Sequence, residues 1–208
     1  MNKINIVKDF IPISNATSRS RYGMKPHYIT IHNTGNSRNG ADAKMHTEYK
    51  DCAKGYVSWH FTVDDKKIYQ ELPCSEIGWH AGDGEGDGNM KSIGIEIREN
   101  NGIDWITARS NAIELIIYLM DTYDIPIENV VPHQRWSGKY CPHKILDEGW
   151  DRFINDIIVV KYNPSEWAEE AIKWAISNGI SDCTRLKENC TKEEIITMLY
   201  RIYKNTFK

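Results

Sequence analysis

The sequence has no apolar run long enough to cross a membrane. Its longest candidate, IELIIYLM at 113–120, is much shorter than the roughly 18 apolar residues that a membrane-spanning helix needs. Residues 1–21 also lack the apolar core of a secretory signal. We therefore expect a protein that is made in the cytosol without a signal peptide and that leaves the cell, if at all, by another route.

Strong net charge and paired cysteines are also absent. The 26 basic and 29 acidic residues give a net charge of -3 with no basic block, so no nucleic-acid partner is expected. The five cysteines form no Cys-x-x-Cys pair, which favours reduced thiols over a disulfide framework. Aromatic residues are plentiful by contrast. The seven Trp and eleven Tyr suit a carbohydrate-facing surface as well as a core.

Residue patterns up to about residue 160 predict strands interleaved with helices. Alternation with period two predicts strands at 27–35, 57–65 and 91–100, and a return strand at 67–72 predicts a hairpin with the second of them. Helical spacing is typical of 41–52, 107–125 and 144–158. This order indicates an α/β domain with one main sheet.

One loop, VPHQRWSGKYCPH at 131–143, gathers several groups that bind metals or carry charge. A catalytic zinc takes three protein ligands and leaves a fourth position for water. His133 and Cys141 could supply two ligands, and His143 is a further candidate. Hydrolysis also needs a carboxylate to move a proton and often a cation near the developing oxyanion, a role open to Lys139.

The predicted strands offer the missing partners. His32 lies on the polar side of the strand at 27–35, near its turn. Glu96 lies opposite the three isoleucines of IGIEI, where a catalytic carboxylate could be partly buried. Each of these residues also has a plainer interpretation, because a lone strand-end histidine is usually a hydrogen-bonded structural residue. Glu96 could be an ion-paired carboxylate, Lys139 a solvated loop lysine and Cys141 a buried thiol.

Four segments, taken together and in this order, resemble one enzyme family. They are HYITIHNT, VSWHFTVDD, GWHAGDG…KSIGIEI and HQRWSGKYCPH, within about residues 25–158. The chain resembles zinc-dependent N-acetylmuramoyl-L-alanine amidases related to peptidoglycan recognition proteins and phage lysozyme-type amidases. The resemblance implies a central mixed β-sheet flanked by helices over residues 1–160. It also implies one zinc ion and hydrolysis of the bond between N-acetylmuramic acid and L-alanine in Gram-positive peptidoglycan.

The resemblance also implies roles for single residues. The matched zinc ligands are His32, His133 and Cys141, the general base and acid is Glu96, and the oxyanion-stabilising residue is Lys139. His80 matches a position along the substrate groove, with Trp59 and His60 as weaker groove candidates and His60 also fitting a structural role. Trp59 together with Glu96 fits the branch of the family that uses a carboxylate. His143 stands where many relatives have glycine and could compete for the metal, but Pro142 and the family pattern favour Cys141.

Residues 161–208 resemble a single surface-layer-homology-type motif, which implies a small all-helical module that binds a cell-wall polymer. Ser165 is the predicted cap of its first helix, and Thr191 with Glu194 forms a predicted capping box for the second. The alternative is a plain helical hairpin that docks on the catalytic domain or pairs two chains as a homodimer.

Two other functions stay open on chemistry alone. A non-catalytic peptidoglycan receptor would share the fold but typically lacks the cysteine ligand, and a zinc peptidase would use the same groups on another amide. The missing signal favours a phage or prophage endolysin that reaches the wall through a holin-type pore, over a bacterial autolysin with its own export signal.

Overall fold

The computed structural model describes residues 5–36, 57–162, 166–181 and 189–206. The chain divides into two compact units, Met1–Ile157 and Ile158–Lys208, where the sequence predicts a division after residue 160. The helix predicted over 41–52 lies outside the described residues.

The first unit is built on a mixed sheet, which has six strands in the described part of the chain. These are β1 Ile6–Lys8, β2 Tyr28–Asn33, β3 Phe61–Val63, β4 Ile68–Gln70, β5 Ser92–Ile97 and β6 Val130–Pro132. Their order across the sheet is β1-β4-β3-β5-β2-β6. β3 and β4 are antiparallel and the other neighbours are parallel. The expected mixed sheet and the predicted hairpin are both confirmed.

Helices flank this sheet, and one of them differs from its prediction. They are α1 Asp87–Met90, α2 Trp105–Tyr123, α3 Gln134–Ser137, α4 His143–Glu148 and α5 Trp150–Tyr162. α2 matches the predicted helix at 107–125, and the Asp104 side chain caps it by accepting from the backbone nitrogens of Ile106 and Thr107. The prediction of a single helix over 144–158 is wrong, because the structure has two helices there. Gly149, with φ 104°, separates α4 from α5 in a conformation that favours glycine.

The alternation of β2 and β5 separates the core from a polar face. Their five isoleucines are fully buried and cluster with apolar residues of α2 and α5: Ile29, Ile31, Ile93, Ile95, Ile97, Ala112, Ile116 and Phe153. Successive side chains of a strand point to opposite faces, so His32 and Glu96 lie on the side away from this core. The two residues are paired in the parallel register of β2 and β5. The polar face of the sheet therefore holds the candidate site.

The strand predicted over 57–65 is shorter in the structure. Ladder pairing with β5 begins only at Phe61, opposite Ile95. At the start of the predicted segment the backbone bonds to a loop instead, with the Ser58 nitrogen donating to the Trp79 carbonyl at 3.0 Å. The predicted alternation consequently fails there, and Val57 is 53% exposed.

The second unit contains helices and short connecting turns in its described residues. It contains a short 3-10 turn, Glu166–Ala168, then α6 Glu169–Ser177 and α7 Lys192–Thr206. The predicted capping box is present, because the Thr191 nitrogen donates to Glu194 Oε2 at 2.8 Å and the Glu194 nitrogen donates to Thr191 Oγ1 at 3.2 Å. The predicted cap Ser165 lies outside the described residues. Within the described ranges, no helix has the length and apolar character needed to span a membrane.

Candidate metal centre

Three side chains from distant parts of the sequence meet near the carboxyl ends of β2 and β6. The parallel register pairs Ile31 with Pro132, which brings His133 next to His32. Cys141 approaches from the loop after α3, with its Sγ 3.9 Å from His32 Nδ1. One potential ligand atom from each of the three residues lies within 4.8 Å of the other two, and all three side chains are buried. The predicted ligand set is thus brought together.

The hydrogen bonds of His80 determine which nitrogen of His32 is free. His80 Nε2 lies 3.2 Å from the Ser92 carbonyl, which can only accept, so Nε2 carries the hydrogen and Nδ1 is an acceptor. His32 Nε2 lies 3.1 Å from that Nδ1 and therefore donates to it. The remaining atom, His32 Nδ1, keeps its lone pair and faces Cys141 Sγ.

His133 is oriented in the same way by different partners. Its Nε2 lies 2.9 Å from the Ala81 carbonyl, and Ser137 Oγ is 3.1 Å from the same nitrogen. Its Nδ1 is buried and, within the described part of the chain, has no hydrogen-bond partner. A buried polar atom without a partner is costly unless something binds it. Two imidazole nitrogens and one sulfur are donors that suit a catalytic zinc site, so the residues present fit the metal.

Burial sets the protonation of these ligands. It lowers the pKa of His32 well below its usual 6.5, with the neighbouring His80 and His133 adding to the effect, and it lowers the pKa of His133 as well. Burial raises the pKa of the Cys141 thiol to about 11. The imidazoles are therefore neutral and ready to bind, whereas the thiol would lose its proton only to the charge of a metal ion.

Glu96 and Lys139 lie beside the three ligands. Glu96 Oε1 is 3.9 Å from His32 Nδ1, and its buried Oε2 bonds to none of the described residues. Burial raises the pKa of Glu96 to about 8, against the opposing positive charge of Lys139. Lys139 is solvent-exposed, and its charge also lowers the pKa of His32 and His133. A carboxyl group that titrates near neutral pH is suited to proton transfer.

The residues expected along a substrate groove are buried. His80 is 7% exposed, Trp59 8% and His60 0%. The Trp59 indole donates to Thr62 Oγ1 at 2.8 Å, and His60 Nδ1 accepts from the Gly94 nitrogen at 3.0 Å. These positions favour structural contacts over contact with a large substrate, in line with the alternative role expected for His60.

His143 does not join the metal ligands. Its Nε2 lies 2.9 Å from Glu99 Oε2, and the three-residue cluster found in the described part of the chain excludes it. Ala81 and Asn89 also contribute to the site, through the Ala81 carbonyl beside His133 and the Asn89 side chain that bonds to the backbone of His80 and Ala81, and no sequence motif predicted either residue. The only signal for them was the Gly-rich loop at 80–89, whose backbone contacts depend on the fold.

A family model described as N-acetylmuramoyl-L-alanine amidase matches residues 22–144, which is more than half of the chain. The chain belongs to the N-acetylmuramoyl-L-alanine amidase family. The match covers the candidate ligands His32, His133 and Cys141, and it also covers Glu96 and Lys139.

Two similar amidases come from Bacillus subtilis (strain 168). The chain is 54% identical to the amidase CwlH over 164 residues, which are 78% of this chain and 65% of CwlH. It is 55% identical to the amidase XlyA over 150 residues, which are 72% of this chain and 50% of XlyA. This member of the family therefore spans between half and two thirds of the length of these curated relatives.

Solved structures agree with the amidase fold. The catalytic domain of XlyA is 54% identical, with a TM-score of 0.72, and the match covers 74% of this chain and 99% of that domain. A structure described as a mutant endolysin from Bacillus subtilis gives the same identity, TM-score and coverages. The structure of PlyL is 42% identical, with a TM-score of 0.67 and coverages of 74% and 96%. For XlyA, the similarity lies in the catalytic domain.

Proposed function

We propose that the protein hydrolyses the amide bond between N-acetylmuramic acid and L-alanine in peptidoglycan and so lyses the cell wall. The observation that carries this proposal is the joint presence of the family's fold and of His32, His133 and Cys141 at one buried point. Glu96 and Lys139 beside them complete the set of groups that such a hydrolysis needs. The proposed wall is of the Gram-positive type, since the relatives above come from Bacillus subtilis.

The proposed cofactor is one zinc ion. His32 Nδ1, His133 Nδ1 and Cys141 Sγ would hold it, because the two nitrogens have free lone pairs and the sulfur lies beside them. When bound, zinc supplies Lewis acidity, which makes water a nucleophile near neutral pH and polarises the amide carbonyl.

Glu96 would move the proton of the reaction. Its carboxylate would accept a proton from the attacking water and deliver it to the nitrogen of the departing L-alanine. Burial raises the pKa of Glu96 to about 8 in the metal-free protein, and the positive charge of bound zinc would lower it, so that the carboxylate is available to accept the first proton. Lys139 would stabilise the negative charge that develops on the former carbonyl oxygen.

Digestion of purified Gram-positive cell walls tests this function directly. We expect new N-terminal L-alanine, no release in the presence of a chelator, and recovery when zinc is added back. Amines freed from inside the stem peptide would instead identify a peptidase. Binding to walls without any new terminus would identify a receptor.

Variants of the two proposed catalytic residues test their roles. We expect Glu96→Gln to lower kcat by about 10²- to 10⁴-fold, the usual contribution of general acid–base catalysis. Lys139→Met should lower kcat while leaving zinc content unchanged. Glu114→Gln is a matched control, because this glutamate is solvent-exposed and belongs to α2, which packs on the isoleucine face of the sheet and not on the polar face that holds the site. A Glu96→Gln protein with full activity would rule out the proposed proton transfer.

We further propose that the second unit binds a cell-wall polymer. Its large aromatic residues are exposed, with Trp167 at 87%, Trp174 at 50% and Tyr203 at 63%. Aromatic faces of this kind can stack on sugar rings. In the full chain, Trp167→Ala and Trp174→Ala should reduce sedimentation with purified walls, whereas Tyr118→Ala, an exposed aromatic of α2, should not. A fall in molecular mass on ultracentrifugation of these two variants, with wall binding unchanged, would favour the homodimer instead.

We also propose that the protein acts as an endolysin that reaches the wall through a holin-type pore. The similarity to the mutant endolysin from Bacillus subtilis supports this role. Expression in a Gram-positive host should cause lysis only when a holin is co-expressed. Rapid lysis without the holin would contradict the proposed route.

A further inference from the structure

We propose that the dipeptide His80–Ala81, held by Asn89, positions both histidine ligands of the candidate metal centre. The inference rests on the proposed zinc function and assigns His80 and Asn89 as positioning residues. None of these three residues is among the ligands or the proton-transferring groups.

The dipeptide supplies one hydrogen-bond acceptor to each imidazole. His80 Nδ1 accepts from His32 Nε2 at 3.1 Å, and the next residue accepts from His133 Nε2 through the Ala81 carbonyl at 2.9 Å. Each bond places the hydrogen on Nε2 and leaves Nδ1 for the metal. Two consecutive residues therefore select the tautomer of both ligands, although those ligands lie about a hundred residues apart in the sequence.

One buried amide holds the dipeptide in place. Asn89 Oδ1 accepts from the backbone nitrogens of both His80 and Ala81, each at 2.8 Å. Its Nδ2 donates to the Gly84 carbonyl at 2.9 Å, so the amide cannot turn over without losing these bonds. The side chain of Asp83 in turn accepts from the Asn89 nitrogen at 3.2 Å. Movement of this loop would shift both acceptors together.

Packing leaves the His80 ring no alternative orientation. Its Nε2 lies 3.2 Å from the Ser92 carbonyl, and a Cβ added at Gly94 would stand only 2.8 Å from Cγ and Cδ2 of the ring. On another side the ring centroid of His60 lies 5.9 Å away, nearly perpendicular to it. The ring is thus fixed between β5 and His60 with its Nδ1 directed at His32.

Loss of the His80 side chain should therefore change the tautomer of the metal ligand His32, in addition to any loss of stability. Without an acceptor, the Nε2 hydrogen of buried His32 has no partner, which disfavours this tautomer. The alternative tautomer carries its hydrogen on Nδ1, the atom that would bind the metal. His80→Leu removes the acceptor, whereas His80→Asn retains a carbonyl oxygen near the position of Nδ1.

The test measures the zinc dissociation constant of the full chain by competition with a chromophoric chelator. We expect His80→Leu to weaken zinc binding by about 10- to 100-fold, the usual effect of removing a partner of a metal ligand, and His80→Asn to recover most of it. Asn100→Ala is the matched control for Asn89→Ala, because it also removes a buried amide, but one whose Nδ2 donates to the Asn101 carbonyl rather than to the loop at 80–89. Asn89→Ala should weaken zinc binding like His80→Leu.

The second readout is the tautomer of His32 and His133 in the metal-free protein, from ¹⁵N NMR of the imidazoles. The spectra of wild-type protein should show the hydrogen on Nε2 of both His32 and His133. This measurement does not depend on whether any variant folds. Hydrogen on Nδ1 of either, unchanged zinc affinity in a folded His80→Leu protein, or a loss in Asn100→Ala equal to that in Asn89→Ala would overturn the inference. A wild-type chain that binds no zinc would refute the proposed function, while the imidazole spectra would still decide the role of His80 and Ala81.

Discussion

Replacing Gly94 with alanine would test the packing that holds the candidate metal centre together. The new Cβ would lie 2.8 Å from Cγ and Cδ2 of His80 and 2.9 Å from its Nδ1. Carbon atoms pack best at about 3.5–4.0 Å, so either the ring or the strand would have to move by about 0.7 Å or more.

Neither partner is free to move. The Gly94 nitrogen donates to His60 Nδ1 at 3.0 Å and the Gly94 carbonyl accepts from the His60 nitrogen at 3.0 Å, which holds the strand. The His80 ring is held by its bonds to Ser92 and His32. Overpacking of this kind costs about 1–3 kcal/mol in the free energy of unfolding. The reduced freedom of the unfolded chain offsets about 0.4–1 kcal/mol of that.

The expected net loss lowers the melting temperature, because 1 kcal/mol corresponds to about 2–4 °C in a protein of this size. Calorimetry of the metal-free protein measures it, and the zinc dissociation constant should rise at the same time. Gly23→Ala is the matched control, since a Cβ there meets no atom within 4 Å. A Gly94→Ala protein with wild-type melting temperature and zinc affinity would refute the reasoning from packing.

Three further outcomes are expected. In metal-free protein, burial raises the pKa of Glu96 from 4.5 to about 8, so the free energy of unfolding falls as pH rises between these values. Glu96→Gln has no such titration, so its free energy of unfolding should exceed that of the wild type by an amount that grows by about 1.4 kcal/mol per pH unit from pH 5 to pH 7. Denaturant titrations measure this difference. A constant difference would contradict the raised pKa. Cys141→Ser should abolish the thiolate-to-metal charge-transfer band of cobalt-loaded protein, and a retained band would mean that another cysteine is the ligand. Phe153→Ala should lower the free energy of unfolding by about 3–5 kcal/mol, because the Phe153 side chain is fully buried and also packs against the Arg109 guanidinium. A smaller loss on chemical denaturation would show that the core collapses around the cavity.

Local patterns in the sequence predicted the parts of the fold that depend on neighbouring residues. Period-two alternation placed the isoleucines of β5 on one face and Glu96 on the other, and the capping box at Thr191 formed as expected. The helix over 144–158 and the strand over 57–65 were predicted with wrong extents. Gly149 interrupts the first, and bonding of Ser58 to a loop replaces the sheet pairing of the second.

The candidate ligands could be proposed from the sequence only as a set, on the strength of a family resemblance. Their meeting depends on the parallel register of β2 with β5 and β6, which joins segments far apart in the chain. The sequence was equally unable to indicate the position of His80, which was expected along the substrate groove. Its ring is buried against His32, a contact that no spacing of residues indicates.

By itself, the sequence determined which residues alternate, where helices are capped and which side chains were available for metal binding and proton transfer. These properties follow from sterics and chemistry within a few residues. Only the tertiary structure decided which strands are neighbours, which nitrogen of each imidazole is free and how far the pKa of Glu96 rises. Those depend on burial and on hydrogen bonds between distant segments, such as the bonds from His80 and Ala81 to the two histidine ligands.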